Sequence, residues 1–417
     1  MALAAATVAA GLVLAADTRA GLGTPLPPFL MNWAPQVRWP ALLAAAIALA
    51  AAWWVPRLSA VPTVPAAFAA AVYLLALALG LSVNAARGGP SAWDHVFNLG
   101  PGGSFEASRE YLPALPLLSH GVGYYVGHFA HLLPYLPTHA KGNPPGPVVA
   151  IHLLGITSAA PLTAICVGLG ALTAPLAYGL GRTLGTEQRG RLAAILTAFS
   201  PALILFGVTS LDYVFAALGT AVAWLLVSPG RVARAAGYAL AGLSSFCSWL
   251  LPATAAWAVL VVWRRRGWRS ASVVALGVAG GLLAVNVALA LTLGYDPVAV
   301  VRALAPIYRH GIAAHRPYPY WLFGSPVAWV VMLGVPTGWL ALRSLARADD
   351  AAIALAAVIA VTAVAGFTKA ETERIWLPFV PLAAVAAAAA APTRLRPVVL
   401  VLALQAIAIE LLFNTVW

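Results

Sequence analysis

Apolar runs long enough to cross a bilayer follow one another through almost the whole chain, and the breaks between them carry arginine. Backbone inside lipid must satisfy its own hydrogen bonds, so a chain of this kind folds as a bundle of helices. A spanning helix needs about 20 apolar residues. The runs predict spans near 1–16, 41–56, 65–84, 158–181, 192–208, 211–228, 235–249, 250–263, 271–293, 326–342, 351–367, 375–392 and 398–416. Several are short, so the expected count is eleven to thirteen, in one all-α, polytopic transmembrane domain covering 1–417. Met1 to Ala16 lacks a basic leader and reads as a first span or an interfacial segment rather than a cleaved signal. Hydrophobic residues make up 62% of the chain and charged ones 9%, which leaves no stretch with the composition of a soluble domain.

The net charge of +12 follows from topology and does not point to nucleic acid. Arg182/Arg189/Arg191, Arg231/Arg234, Arg264 to Arg266 with Arg269, Arg343/Arg347 and Arg394/Arg396 are separated by even numbers of proposed spans. They therefore fall on one side, which the positive-inside rule makes cytoplasmic. That leaves 85–147, the turn at Ser210 to Asp212, 294–325 and 368–374 on the outer side of a plasma membrane. Asp94, Glu106, Glu110, Asp212, Asp296, Glu371 and Glu373 gather there with the histidines, and topology alone does not explain that excess. Cys166 and Cys247 sit in apolar runs without metal-ligand spacing and read as packing residues.

The segment 85–147 is the strongest candidate for chemistry. It holds three of the twelve acidic residues, Asp94, Glu106 and Glu110, and five of the eight histidines, His95, His120, His128, His131 and His139. Phe105 to Tyr111 predicts a short helix with Glu106 and Glu110 four apart on one face. Leu112 to Leu136 mixes Leu, Tyr, Phe and His around Pro113, Pro116 and Pro134, a pattern of interfacial helices with aromatics at headgroup depth. A carboxylate held near the membrane surface suits a general base acting with a lipid-linked co-substrate. The competing reading is that Glu106 and Glu110 only solvate a helix face and pair with Arg109.

Three further stretches carry candidates. Asp212 opens a span after Thr209-Ser210 and reads as a first-turn carboxylate against the helix dipole, which does not exclude a ligand role. Thr368 to Arg374 packs Lys369, Glu371, Glu373 and Arg374 between two apolar runs. Lys369 and Arg374 there suit a phosphate or diphosphate, although short loops also carry charge simply to stay wet. In 294–325, Arg309 and Arg316 interleave with Tyr308, Tyr318, Tyr320 and Trp321. That mixture suits phosphate binding and sugar stacking, and equally an aromatic belt.

Together these pieces resemble the GT-C superfamily of integral membrane glycosyltransferases, which includes protein O-mannosyltransferases, lipid A aminoarabinose transferases and actinobacterial arabinosyltransferases. The likeness covers most of 65–392 in layout, through short motifs. Asn143-Pro144-Pro145 stands where the family has a His-Pro-Pro-like turn, with asparagine for the usual histidine. The run Gly366 to Pro378, centred on Glu371-Thr372-Glu373-Arg374-Ile375-Trp376, is similar to the Glu/Arg segment that opens a late span in bacterial members. No clean Asp-Glu pair opens the first loop, and three spans precede it where many members have fewer.

The resemblance implies a catalytic acid in the first long outer loop and leaves Asp94, Glu106 and Glu110 open; Glu110 is favoured because Tyr111-Leu112-Pro113 follows it, where the loop turns into its membrane-hugging part. It implies a polyprenyl-phosphate sugar donor, for whose phosphate Lys369, Arg374, Arg309 and Arg316 are the candidates read from the residues above. His139, Asn143, Asp212, Tyr320 and Glu373 are the candidates for the remaining substrate or the acceptor, a glycan or other hydroxyl. The residues identify no cofactor, and a divalent cation stays open. The alternative is a transporter or flippase for a lipid-linked sugar, which expects ionisable residues within spans and broken helices at the midplane. Buried candidates of that kind are few: Glu410, Asn286 and Gln405.

Overall fold

A computed structural model describes residues 2–16, 21–59 and 63–417. Met1, which begins the first expected span, lies outside the described residues. The fold is all-α: beyond one isolated bridge, the only strands among the described residues form a two-residue antiparallel ribbon, Asn32–Trp33 with Phe413–Asn414. Among the described residues, four helices are long and apolar enough to cross a membrane: Trp39–Leu58, Pro65–Asn84, Ala159–Leu184 and Leu251–Leu293. A bent pair raises that number to five, and Ala2–Ala16, Asp212–Val227, Asp350–Ala365 and Leu377–Ala388 are shorter apolar helices. The chain divides into two compact units. The first comprises Met1–Trp93, Cys166–Thr220 and His315–Trp417, the second Asp94–Ile165 and Ala221–Ala314.

The first unit is organised around the helix Val380–Ala388, in which every residue is buried. Its alanines let the helices Glu187–Ala198, Val335–Ala346 and Asp350–Ala365 approach closely. Ser344 Oγ, for instance, donates to Ala386 O at 2.7 Å. At one end of Asp350–Ala365, Asp349 caps the helix and pairs with Arg189 at 3.0 Å. The other end leads into the charged segment 368–374, about 24 Å away at 1.5 Å per residue. Arg87 donates to the carbonyls of Ala34 (2.7 Å), Glu410 (3.2 Å) and Phe413, and so pins the ribbon beside the end of Pro65–Asn84.

The run 326–342, expected as one span, is instead divided between two helices, Tyr318–Leu333 and Val335–Ala346, bent by 112°. Gly334 lies between them at φ +107, and Pro336 has no N–H with which to carry the first helix onward. The bend releases backbone groups, and neighbours take them up. Gln405 Oε1 accepts from Val335 N at 3.0 Å, and its Nε2 donates to Val331 O at 2.6 Å. Ser200 Oγ donates to Leu333 O at 3.1 Å. A Cβ at Gly334 would collide with Leu402 and come within 3.1 Å of Pro201 Cδ. Gly334→Val is therefore expected to cost about 1–3 kcal/mol through overpacking alone. Gln405→Leu is expected to cost about 1–2 kcal/mol by stripping two backbone groups of partners. Thermal unfolding in detergent reads both, and a Gly334→Val midpoint equal to wild type would show that the bend is not tightly packed.

In the second unit, Leu251–Leu293 is interrupted at Gly267, where φ is 80° and ψ 170°. Tyr238 packs against Gly277 and Gly281, Gly242 against Gly281 and Val285, and Asn286 reaches Ser245 Oγ at 3.5 Å. Positions on both sides rise together, so 268–293 runs parallel to Arg231–Ser245, and 251–266 must run back between them. Gly267 is the reversal, in a backbone region that glycine enters without steric cost. The runs expected over 250–263 and 271–293 are the two arms, and the arginine-rich stretch between them is the turn. Arg231, Arg234 and Arg264 to Arg269 thus lie at one end of these helices, and Phe246, Leu293 and Tyr295 at the other. The chain after Asp94 packs on that second end: Gly146 N donates to Phe246 O at 2.9 Å. Tyr295 meets Phe246 edge-on at 5.3 Å.

Candidate functional site

Phe105–Arg109 forms a 3-10 helix, and Glu110 caps it with an extended backbone (φ −77, ψ −167). Three residues per turn align i with i+3, not i+4. Glu106 accordingly pairs with Arg109 at 3.3 Å, and the face that Glu106 and Glu110 were expected to share does not form. The chain turns Glu110 inward, to 1% exposure. There His139 Nε2, from the short helix Thr138–Gly142, lies 3.6 Å from Glu110 Oε1. Asn143 Nδ2 donates to Tyr111 Oη at 3.0 Å and to His139 O at 3.3 Å. The Tyr111 and His139 rings are tilted toward each other with centroids 6.4 Å apart. Glu110, Tyr111, His139 and Asn143 thus converge in the second unit. A buried carboxylate beside an imidazole is a unit able to hold or pass a proton. Asp94 lies half-buried in the turn whose carbonyl accepts from Phe97 N.

A second polar cluster forms in the first unit. Asp212 begins its helix and accepts from Ser210 Oγ at 2.8 Å and from Arg374. Arg374 also lies 3.7 Å from Glu371. Glu371 in turn accepts from Arg316 at 2.6 Å, and Arg316 donates to Lys369 O at 2.6 Å. The Trp417 ring covers the Arg374 guanidinium at 4.5 Å. In 368–374, legible as a solvated loop or as a phosphate site, Glu371 and Arg374 are buried or nearly so and joined to each other, to Arg316 and to Asp212. Ala370 and Glu371 take φ of +63 and +60, a conformation costing about 1–3 kcal/mol per non-glycine residue that the ion pairs hold in place. Arg316 and Arg374, expected at a donor phosphate, carry carboxylates in this arrangement. Tyr320 is half-buried, edge-on to Trp321 at 5.2 Å. Arg309 is exposed on Pro297–His310 in the second unit, its Nε donating to Ala305 O at 3.3 Å.

Glu373 stands apart from these pairs. Its Oε1 accepts from Leu30 N at 2.8 Å, and it is 1% exposed. Burial pushes its carboxyl up to about 7, with the Leu30 N–H opposing, Glu371 adding and Arg316 opposing. A carboxyl raised on folding binds its proton more tightly in the native state than in the unfolded one. Stability is then greatest near or below pH 4.5, falls as the pH rises toward about 7, and is flat beyond. Glu373→Gln is expected to abolish that fall. Thermal midpoints of both proteins between these pH values test it, and parallel slopes would refute the assignment.

Neither Tyr111 nor Ser210 stands out in the sequence. Ser210, two residues before Asp212, is an ordinary turn signal; Tyr111 directly follows Glu110; nothing marks Leu30. Among the described residues, no three histidine, cysteine or acidic side chains converge as a metal site would require. Compared with known proteins, the chain matches no family model, no curated sequence and no solved structure.

Proposed function

We propose that this chain is a membrane glycosyltransferase of the GT-C type, moving a sugar from a polyprenyl-phosphate donor to an acceptor hydroxyl. The observation that supports it is the buried Glu110–His139 pair, held by Tyr111 and Asn143 in the long segment between apolar helices. Glu110 takes the proton of the acceptor hydroxyl as its oxygen attacks the anomeric carbon. The bond from that carbon to the lipid phosphate breaks, and the phosphate keeps the electron pair. His139 lies where it can share the proton that Glu110 has taken. Within the second unit, Arg309 is the exposed cation assigned to the lipid phosphate. Arg316 and Arg374 serve instead as a clamp on 368–376, and reach a phosphate only by releasing Glu371 and Asp212. In this reading the shorter apolar helices also cross the membrane, and the eleven to thirteen spans of a multi-pass protein are reached when the two arms of Leu251–Leu293 count separately and 192–208, 235–249 and 398–416 cross as well. The end of the second unit that holds Glu110 then faces outward, and its arginine end faces the cytoplasm.

The bend at Gly334 favours a second reading, a transporter or flippase for a lipid-linked sugar, because transporters bind substrate where helices break. Two assays separate the readings. Purified protein is expected to transfer sugar from a polyprenyl-phosphate donor, and not to accelerate movement of that lipid across vesicles. Translocation without transfer would replace the first reading by the second. In a background lacking Cys166 and Cys247, Ser108→Cys and Arg265→Cys are expected to label from opposite sides of intact cells. Labelling of Ser108→Cys only after the membrane is opened would place the Glu110 end inside and remove the case for a lipid donor.

A further inference from the structure

The segment that follows Glu110 and Tyr111 presents a row of aromatic rings that the transfer reaction does not use. Leu112–His120 is a 3-10 helix, followed by the helices Val122–Gly127 and Phe129–Leu132. Their apolar side chains turn inward: Tyr125, Val126, Phe129 and Leu133 are at most 1% exposed, and Tyr125 meets Phe129 edge-on at 5.5 Å. The outward face carries His120, Tyr124 and His128, four residues apart and all exposed. Their rings form a ladder. His120 and Tyr124 are tilted at 5.3 Å between centroids, and Tyr124 and His128 are stacked at 4.4 Å with only 26° between planes. The Tyr124 carbonyl lies 3.0 Å from His128 Nδ1 and fixes that ring's orientation, leaving Nε2 on the open side. Gly121 and Gly123 beside the rings have nothing within 4 Å of where a Cβ would stand, so the ladder is unobstructed.

An interfacial helix that dips into lipid turns its Leu and Phe outward and its polar residues away. Here the arrangement is the reverse. Flat, pre-stacked rings with imidazole and phenol groups at their rims match the face of a sugar, which offers C–H bonds to the ring plane and hydroxyls to the edges. We propose that His120, Tyr124 and His128 form a carbohydrate-binding platform for the acceptor. This inference rests on the glycosyltransferase reading only for the word acceptor. Successive ring centroids are 5.3 and 4.4 Å apart, so the row is longer than a single sugar ring and the acceptor it fits is an oligosaccharide.

The test uses the full chain in detergent with linear hexasaccharides of mannose, arabinofuranose and galactofuranose as probes. Saturation-transfer NMR finds the contact, and calorimetric titration measures affinity. At least one hexasaccharide is expected to bind. Removing one stacking ring, in Tyr124→Ala or His128→Ala, is expected to weaken it about three- to tenfold. Tyr124→Phe keeps the ring and loses only the phenol at its rim, so it is expected to bind more tightly than Tyr124→Ala, which separates stacking from misfolding. Failure of all three sugars to bind, or binding unchanged in Tyr124→Ala, overturns the proposal. So does binding to phosphatidylglycerol vesicles that falls with Tyr124→Ala while sugar binding does not, since the face would then belong to the membrane. Binding is measured without donor, so a failure to bind is read apart from a failure to transfer.

Discussion

Glu110→Gln is expected to lower sugar transfer by about 10²- to 10⁴-fold, the range that general-base catalysis supplies. The amide keeps the shape of a side chain that is 1% exposed, so the fold and donor binding should persist. Glu106→Gln breaks only a partly exposed pair with Arg109, and its transfer rate is expected to stay within a few-fold of wild type. Asp94→Asn is expected to behave likewise. His139→Gln should fall between, because it removes the imidazole beside Glu110 but not the carboxylate. Rates with a polyprenyl-phosphate donor, measured alongside donor binding, give the ranking. A Glu110→Gln enzyme that turns over normally would move the base elsewhere, and a large loss in Glu106→Gln instead would move it one turn back along the chain.

Arg374→Ala is expected to be the most destabilising single change. Removing one partner of a buried ion pair costs about 3–5 kcal/mol, because the carboxylate left behind has no cation and little water. Asp212 would be the abandoned group, with its helix N-terminus and Ser210 as partial compensation. Arg374→Ala with Asp212→Ala removes both charges and should recover part of the loss. Thermal or denaturant unfolding in detergent reads the two variants. An Arg374→Ala protein within about 1 kcal/mol of wild type, below the usual range for a broken buried pair, would mean that the pair is hydrated and weak. The same variant then becomes the better probe of phosphate binding.

The parts of this fold visible in the sequence are those fixed by local periodicity and charge. The apolar runs, the arginine turn between 250–263 and 271–293, and the start of a helix at Asp212 are all short-range features. The bend at Gly334 left a local mark, Gly334-Val335-Pro336, inside a run whose composition said continuous helix. Its support was not local: Gln405 lies 70 or more positions away. Glu106 and Glu110 went wrong for a different reason. Four-residue spacing implies a shared face only in an α-helix, and composition does not choose between α and 3-10 over five residues. The charges of 368–374 were legible as residues but not as buried ones. Their partners Arg316 and Asp212 stand 55 and 162 positions away, and only packing reveals such pairs.

The ribbon pinned by Arg87 also sets an order on biosynthesis. Asn32 pairs with Asn414, about 380 residues later in the chain. At roughly 5–20 residues per second, a nascent chain waits on the order of a minute between making one strand and the other. Two of the three carbonyls that hold the Arg87 guanidinium, those of Glu410 and Phe413, are made 323 and 326 residues after Arg87 itself. Before that interval ends the second unit is fully synthesised, while the first unit still stands open with its early helices unclosed. A chain that stops short of Glu410 is therefore expected to leave the first unit open, and limited proteolysis of such a truncation against the full chain reads that opening.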